Sequence, residues 1–268
     1  MHPPPTAAYH PQGSHRFAAS QLTRGPWEPT HQHAGPPSAL ICRAVEQAAA
    51  PHGLTHVARL TINLWRPIPI GVLDLEVSAD YVGRNAGHFG ARLLAHGKEV
   101  ARATALVQRE AEVPVPEGTA GHPLPAAPRA PADCAGVTFP FASAEHVGYG
   151  DLVENRLVAG EFFNGPCTAW FRLRHPLVAG EGASPYQRVA VAADSGNGIS
   201  AVLDIKTHLF VNSDLTINLL RRPVGEWICL QARTALGDHG GGLAESVLYD
   251  EAGLIGRALQ SLAVRARG

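Results

Sequence analysis

The sequence predicts an α+β protein built twice over, a fused pseudo-dimer in which each copy is one helix followed by a run of antiparallel strands. Three observations lead there. Leu60-Thr61-Ile62-Asn63-Leu64 recurs unchanged as Leu215-Thr216-Ile217-Asn218-Leu219, at a separation of 215 − 60 = 155 residues. The same offset carries Arg66 onto Arg221, Gly87 onto Gly242 and Arg102-Ala103 onto Arg257-Ala258 without a gap. A short identity alone is weak evidence, but a register kept this far makes internal repetition the leading architectural signal. Second, the hydrophobic spacing passes from helical to alternating in the same order in both copies. Third, Pro114, Pro116, Pro123, Pro125, Pro128 and Pro131 lie between the copies among small residues, a composition suited to an extended linker and not to a core.

Residues 1–13, rich in Pro and His, read as a flexible leader in which His2 and His10 are disordered, as is His15 just beyond it. The first unit covers 14–110. A short strand is expected over Phe17–Leu22, then a loop through His31 and His33. A helix over Ser38–Ala50 has Leu40, Ile41, Ala44 and Val45 on one face. Pro36 and Pro37 suit its start, where a missing N–H costs nothing, and Pro51 marks its end. Strands follow at 58–67, 74–82, 87–96 and 99–108, with Gly97-Lys98 as a hairpin turn. Beyond the linker at 111–135, the second unit (136–268) repeats the plan. A strand is expected at 167–174 and a helix within Ser184–Leu203, its core near 188–203. Strands then follow at 209–220, 227–234, 243–249 and 255–264.

A net charge of −1 over 268 residues provides none of the basic excess that nucleic-acid or membrane-surface binding requires. With 45% hydrophobic residues the chain can bury a shared core, yet it has no apolar run long enough to span a bilayer. The start, Met1-His2-Pro3-Pro4-Pro5, does not look like a secretory signal. Cys42, Cys134, Cys167 and Cys229 are far apart with no CxxC pair, so buried free thiols in a reducing cytoplasm are expected.

Two motif matches are decoys. Gly196-Asn197-Gly198-Ile199-Ser200-Ala201 fits a dinucleotide fingerprint, but strand follows strand and no βαβ unit surrounds it. His31 and His33 form an HxH pair without an evident third ligand, so no metal is assigned, and no cofactor is implied. There is also no GxSxG nucleophile elbow.

Four stretches, taken in order, resemble one family. They are His33-Ala34-Gly35-Pro36-Pro37, Ala193-Asp194-Ser195-Gly196-Asn197-Gly198, Asn212-Ser213-Asp214-Leu215-Thr216, and the run from Gly225-Glu226-Trp227 to Arg257-Ala258-Leu259-Gln260-Ser261. Together they resemble the double-hotdog acyl-CoA thioesterases, over most of the chain apart from the leader and the linker. The resemblance implies two fused hotdog domains with central helices and joined sheets. It also implies hydrolysis of an acyl thioester, of coenzyme A or of an acyl-carrier protein, at the interface between them. A homo-oligomer is left open.

In the thioesterase II branch an Asp, a Thr or Ser, and a Gln hold the attacking water. The resemblance places the first on Asp194 and the third on Gln260, while the second falls on Asn212, a departure from the pattern. Ser213 or Thr216 would stand in after a small register shift. Chemically, Asp194 serves as general base, Asn212 and Gln260 aim the water, and backbone N–H groups near Gly35, with His33 facing substrate, hold the oxyanion. Attack by Asp194 itself, through an anhydride, stays open. The bland readings are a helix-end acid for Asp194 and a solvated strand residue for Gln260. Subtracting 155 sets Asp194, Asn212 and Gln260 opposite Ala39, Val57 and Ala105, which suggests one catalytic site per chain. Arg221 and Arg222 are either near coenzyme A phosphates or at a solvated strand end. The runner-up readings are a hotdog hydratase or dehydratase, disfavoured because no DxNPxH-like His–Asp stretch occurs, and a non-catalytic acyl-binding protein.

Overall fold

The computed structural model describes residues 5–114, 116–117, 125–139 and 147–267. The first unit contains β1 (Tyr9–Pro11), β2 (Arg16–Ala19), α1 (Gly35–Ala49), β3 (His56–Leu64), β4 (Val72–Val82), β5 (Ala86–Ala95) and β6 (Lys98–Gln108). After the connection come β7 (Ala135–Val137), α2 (Tyr149–Leu152), β8 (Val153–Ala159) and β9 (Cys167–Leu173). The chain continues with α3 (Pro185–Ala193), α4 (Gly196–Ile199), β10 (His208–Asn212), β11 (Asp214–Leu219), β12 (Ile228–Leu236), β13 (Gly241–Asp250) and β14 (Gly253–Ala266).

All named strand pairs are antiparallel and join one sheet in the order β1-β2-β4-β5-β6-β3-β11-β14-β13-β12-β9-β8-β7, with β10 also on β14. Read outward from the β3–β11 seam, the order is nearly the same in both directions, which is the signature of a pseudo-twofold axis. Thr61 and Thr216, equivalent under the repeat, face each other across that seam, and Thr216 Oγ1 donates to Thr61 Oγ1 at 3.3 Å. The limits of β5 and β13 differ by 241 − 86 = 155 and 250 − 95 = 155 residues.

The helices α1 and α3 pack against each other at the centre, and the two halves of the sheet wrap them. Leu40, Ile41 and Val45 are fully buried. At about 1.5–3 kcal/mol for each such side chain, this face gives α1 a reason to form that propensity alone does not. A 3₁₀ turn and Gly53, at φ +66°, end it. In α3, Ser184 caps the N-terminus, its Oγ accepting from Gln187 N–H at 3.1 Å, and Pro185 follows at the first helical position.

Several expectations need correcting. The leader is not a flexible tail from Ala7 onward: Ala7, Ala8 and Tyr9 are buried, and His10 lies within β1. His15 is tied in place too, its carbonyl accepting from Leu75 N–H at 2.8 Å. Tyr9 N–H donates to Leu177 O at 2.9 Å, and its hydroxyl donates to Gln32 Oε1 at 2.6 Å. The Pro/His composition hid one aromatic anchor. His2 lies outside the described residues. The end of the linker is ordered as well, with a 3₁₀ turn at Pro131–Asp133, β7, and a buried Cys134.

The second helix is not one long rod, because α3 stops at Ala193 and only a short α4 follows. Ser195 N–H turns back to Ala192 O, and Gly196 and Gly198 then offer little helix propensity. The β5–β6 turn is centred on His96 and Gly97, at φ 51° and 71°, one residue earlier than expected. All four cysteines are free and buried. No helix among the described residues is long and apolar enough to cross a membrane.

Candidate active site

A cleft of about 420 Å³ opens between the two units, with His33, Trp65 and Arg66 on one side and Asp194, Asn197 and Phe210 on the other. Asp194 sits just past the end of α3, where the helix carbonyls disfavour a negative charge. Side-chain donors offset that. Asn212 Nδ2 donates to Asp194 Oδ1 at 2.8 Å, and Gln260 Nε2 lies 3.3 Å from the same oxygen and 3.1 Å from Asp194 O. The other oxygen, Oδ2, is 3.0 Å from His33 Nδ1.

Each partner comes from a different element. Asn212 ends β10, Gln260 faces inward from β14, and His33 precedes α1. Gln260 is 2% exposed and its Oε1 accepts from Asn197 N–H at 2.8 Å, so it ties the end of α3 to α4. A Cβ on Gly196 would come within 2.6 Å of Ser246 Oγ and 3.1 Å of Gln260 Oε1, so a side chain there would displace the Ser246 hydroxyl and crowd Gln260.

The His33 ring is stacked on Tyr149, with centroids 3.8 Å apart and planes 1° from parallel. The Tyr149 hydroxyl donates to Val191 O at 3.0 Å and meets Ser195 Oγ at 2.9 Å. Burial drives the Tyr149 phenol well above its ordinary range; the charge of Asp194 adds to this and the Ser195 bond partly opposes it. Tyr149 is therefore a neutral shelf for the imidazole.

Two groups compete for His33 Nδ1: the Asp194 carboxylate at 3.0 Å and Gly35 N–H at 3.1 Å. Nδ1 either donates to the first or accepts from the second. A hydrogen bond to an ionised partner is roughly twice as strong as a neutral one, so the proton belongs on Nδ1 facing Asp194. Nε2 then carries the lone pair, and it has no hydrogen-bond partner among the described residues.

The site residues expected from sequence thus meet, Asn212 in its expected place, with two changes, at Gly35 and at the His–Asp pair. Asn212, not Ser213 or Thr216, reaches Asp194, and Thr216 is taken up by the seam. Gly35 does not face the cleft: a Cβ there would come 2.5 Å from Val191 O, so this glycine lets α1 approach α3, and its N–H is aimed at His33. Pro36 and Pro37 have no N–H to give, which leaves the start of α1 a poor oxyanion site. A His–Asp pair is also present after all, formed in space by residues too far apart to register as a motif.

Tyr149, Trp27 and Phe210 escaped sequence reasoning. The last two meet edge to face at 5.1 Å in the cleft wall. Only the aromatic residue types could have suggested them. Arg221 is not free for a ligand, since both Nη atoms donate to Asp250 at 2.6 Å.

At the pseudo-equivalent end of the helix pair, side chains bond to each other. Glu46 Oε2 accepts from Ser184 Oγ at 2.8 Å and Gln187 Nε2 at 2.9 Å, and His56 Nδ1 meets Tyr186 OH at 3.0 Å. Burial raises the Glu46 carboxyl above its usual range, against the opposing bonds from Gln187 and Ser184. The helices start 185 − 35 = 150 and end 193 − 49 = 144 residues apart, so the 155-residue offset does not carry across them and the pairing of Asp194 with Ala39 lapses. Gln260 and Asn212 keep their expected counterparts, Ala105 and Val57, both buried and apolar.

Comparison with known proteins agrees with this architecture. No curated protein sequence matches the chain. Among solved structures, a candidate thioesterase II from Thermobifida fusca aligns with TM-score 0.74 at 18% identity, covering 97% of this chain and 96% of that one. A protein with hot dog fold from Alicyclobacillus acidocaldarius gives 0.71 at 17% identity, covering 98% and 97%. An acyl-CoA thioesterase II from Mycobacterium marinum gives 0.66 at 16% identity, covering 97% and 96%. At such identities these likenesses establish the double-hotdog fold. The sequence itself matches the acyl-CoA thioesterase N-terminal domain over residues 23–108 and the C-terminal domain over 131–264. The chain belongs to the acyl-CoA thioesterase family.

Proposed function

We propose that this chain hydrolyses an acyl-CoA thioester in the inter-unit cleft, with His33 as general base and Asp194 holding it. The observation that carries this is the placement of His33: Nδ1 is on the Asp194 carboxylate, and Nε2 is without a partner among the described residues, on a residue that lines the cleft. Asp194 is less suited to be the base. Its Oδ1 takes Asn212 and Gln260, its Oδ2 takes His33, and the residue is only 6% exposed.

In this reading a water gives its proton to Nε2 as its oxygen attacks the thioester carbonyl. The tetrahedral intermediate expels the coenzyme A thiolate, which takes the proton back from the imidazolium. The carboxylate fixes the tautomer and supports the transient positive charge, while Gln260 and Asn212 act as positioning residues. Stacking on Tyr149 limits ring rotation, so little orientation entropy is lost at the transition state.

The direct test is coenzyme A release from a panel of acyl-CoAs by the wild type and by His33→Gln. Gln keeps hydrogen bonding but takes no proton, so turnover should fall about a hundred- to ten-thousandfold with the melting temperature little changed. A folded His33→Gln protein with near-normal turnover would return the base to Asp194. The same His–Asp pair is what hydration of an enoyl thioester needs, which gives the hydratase reading one specific support. Loss of enoyl absorbance without coenzyme A release would favour it.

A further inference from the structure

We infer that Trp65 and Arg66, at the mouth of the cleft, dock the nucleotide end of coenzyme A, with the adenine stacked on Trp65 and a phosphate held by Arg66. The inference rests on the reading that the cleft takes an acyl-CoA. The repeat provides the first argument. Arg66 and Arg221 are equivalent, since 66 + 155 = 221, but their surroundings differ. Arg221 is neutralised by two 2.6 Å bonds to Asp250, whereas the position equivalent to Asp250 is 250 − 155 = 95, an alanine. Arg66 has thus no counterpart of that carboxylate. Its side chain is exposed, lines the cleft and makes no hydrogen bond or ion pair with the described residues.

The other charges along the cleft leave this cation available. Asp151 accepts from Gly148 N–H at 2.8 Å, and Arg24 donates to Gln21 Oε1 at 2.5 Å. Glu28 also lines the cleft but forms no ion pair with Arg66. A guanidinium presents a planar fork that fits phosphate oxygens in pairs.

Trp65 provides the second argument. It is 52% exposed, unusual for so large an apolar ring, and it also lines the cleft. The Arg102 guanidinium lies 4.8 Å from its centroid, and Glu99 fixes that arginine through bonds of 2.6 and 3.0 Å. One face of the indole is therefore backed by a held cation, and the ring is a prepared platform for a flat base. The repeat counterpart of Trp65 is Leu220, which has no ring. The cleft runs from these exposed residues to Asp194, which is 6% exposed, so the nucleotide would lie at the surface and the thioester inside.

The test compares one acyl group carried on coenzyme A, on 4′-phosphopantetheine and on pantetheine. In the wild type kcat/KM should fall along that series. Arg66→Glu should reduce the preference for the coenzyme A ester over the pantetheine ester about five- to tenfold, through KM and not kcat. Trp65→Ala should reduce the preference for the coenzyme A ester over the phosphopantetheine ester about fivefold, and Trp65→Phe should restore most of it. Unchanged preferences overturn the assignment, and so does an equal loss on all three esters. A loss with phosphopantetheine matching that with coenzyme A, with Trp65→Ala silent, overturns the nucleotide site in favour of a single-phosphate contact. Titration of the intact protein with free coenzyme A reads the same contact without catalysis. If the wild type hydrolyses no ester yet binds coenzyme A at least fivefold more tightly than Arg66→Glu does, the hydrolysis reading fails and this one stands. Equal affinities sink it.

Discussion

Asp194→Asn separates a residue that sets a tautomer from one that merely fills space. Asn212 Nδ2 and Gln260 Nε2 both point at the Oδ1 position, and two donors there force the new amide to keep its oxygen on that side. Its NH₂ must then face His33 Nδ1, at the 3.0 Å now spanned to Oδ2. Nδ1 can only answer as an acceptor, so the proton moves to Nε2 and the atom proposed to take the proton from water no longer has a lone pair. In serine proteases, replacing the orienting Asp by Asn makes the same tautomer error and costs about 10⁴ in kcat. Here a loss of about 10³–10⁴, or roughly 4–5.5 kcal/mol of transition-state stabilisation, is expected. Stability should change far less, by about 1 kcal/mol, because all three contacts survive as neutral hydrogen bonds. Coenzyme A release and thermal melting, measured on the same sample, check both halves. More than a tenth of wild-type turnover in a folded Asp194→Asn protein would refute the tautomer argument.

Other outcomes follow from the same geometry. Gln260→Ala should lower turnover more than tenfold and cost about 1–3 kcal/mol in a denaturant melt, because the buried Asn197 N–H loses its acceptor. Gly35→Val should lower stability and activity together, since its side chain meets Val191 O; a stable but inactive variant would restore Gly35 to the chemistry. Asp250→Asn should cost about 2 kcal/mol at neutral pH, less than a fully buried pair because Arg221 is 34% exposed. Burial of Asp250 raises its carboxyl, but the bonds from Arg221, Val224 N–H and Ala252 N–H together hold it below the ordinary range. A lowered folded value means the stabilisation is full above the unfolded value, near ~4, and is lost as pH falls through the folded one. The stability gap between wild type and Asp250→Asn should therefore close on acidification, and a gap that widened would reverse the sign.

Sequence reasoning reached the fold because the repeat ties strand register to numbers: β5 and β13 begin and end 155 residues apart. It failed where that offset fails, at the helices, which start 150 residues apart, so the pairing of Asp194 with Ala39 does not hold. Asp194, Asn212, Gln260 and His33 were legible as a set, but not the contact between His33 and Asp194, because proximity across two elements leaves no trace in spacing. Tyr149 lies in a four-residue helix, too short for any periodic signal. The role expected of Gly35 went astray for a different reason: a glycine needed for helix packing looks in sequence like one needed for a ligand.

The β3–β11 seam changes what substitution can do. In a homodimer every replacement is made twice, once at each end of the axis, so a gain at one end is tied to its image at the other. Joining the copies in one chain removes that tie. One end could keep Asp194 beside an open cleft, while the other holds the bonded cluster of Glu46, Ser184 and Gln187. On the proposed function the Glu46 end serves as ballast: substitutions there are judged by stability alone, and those at the open end answer to substrate as well.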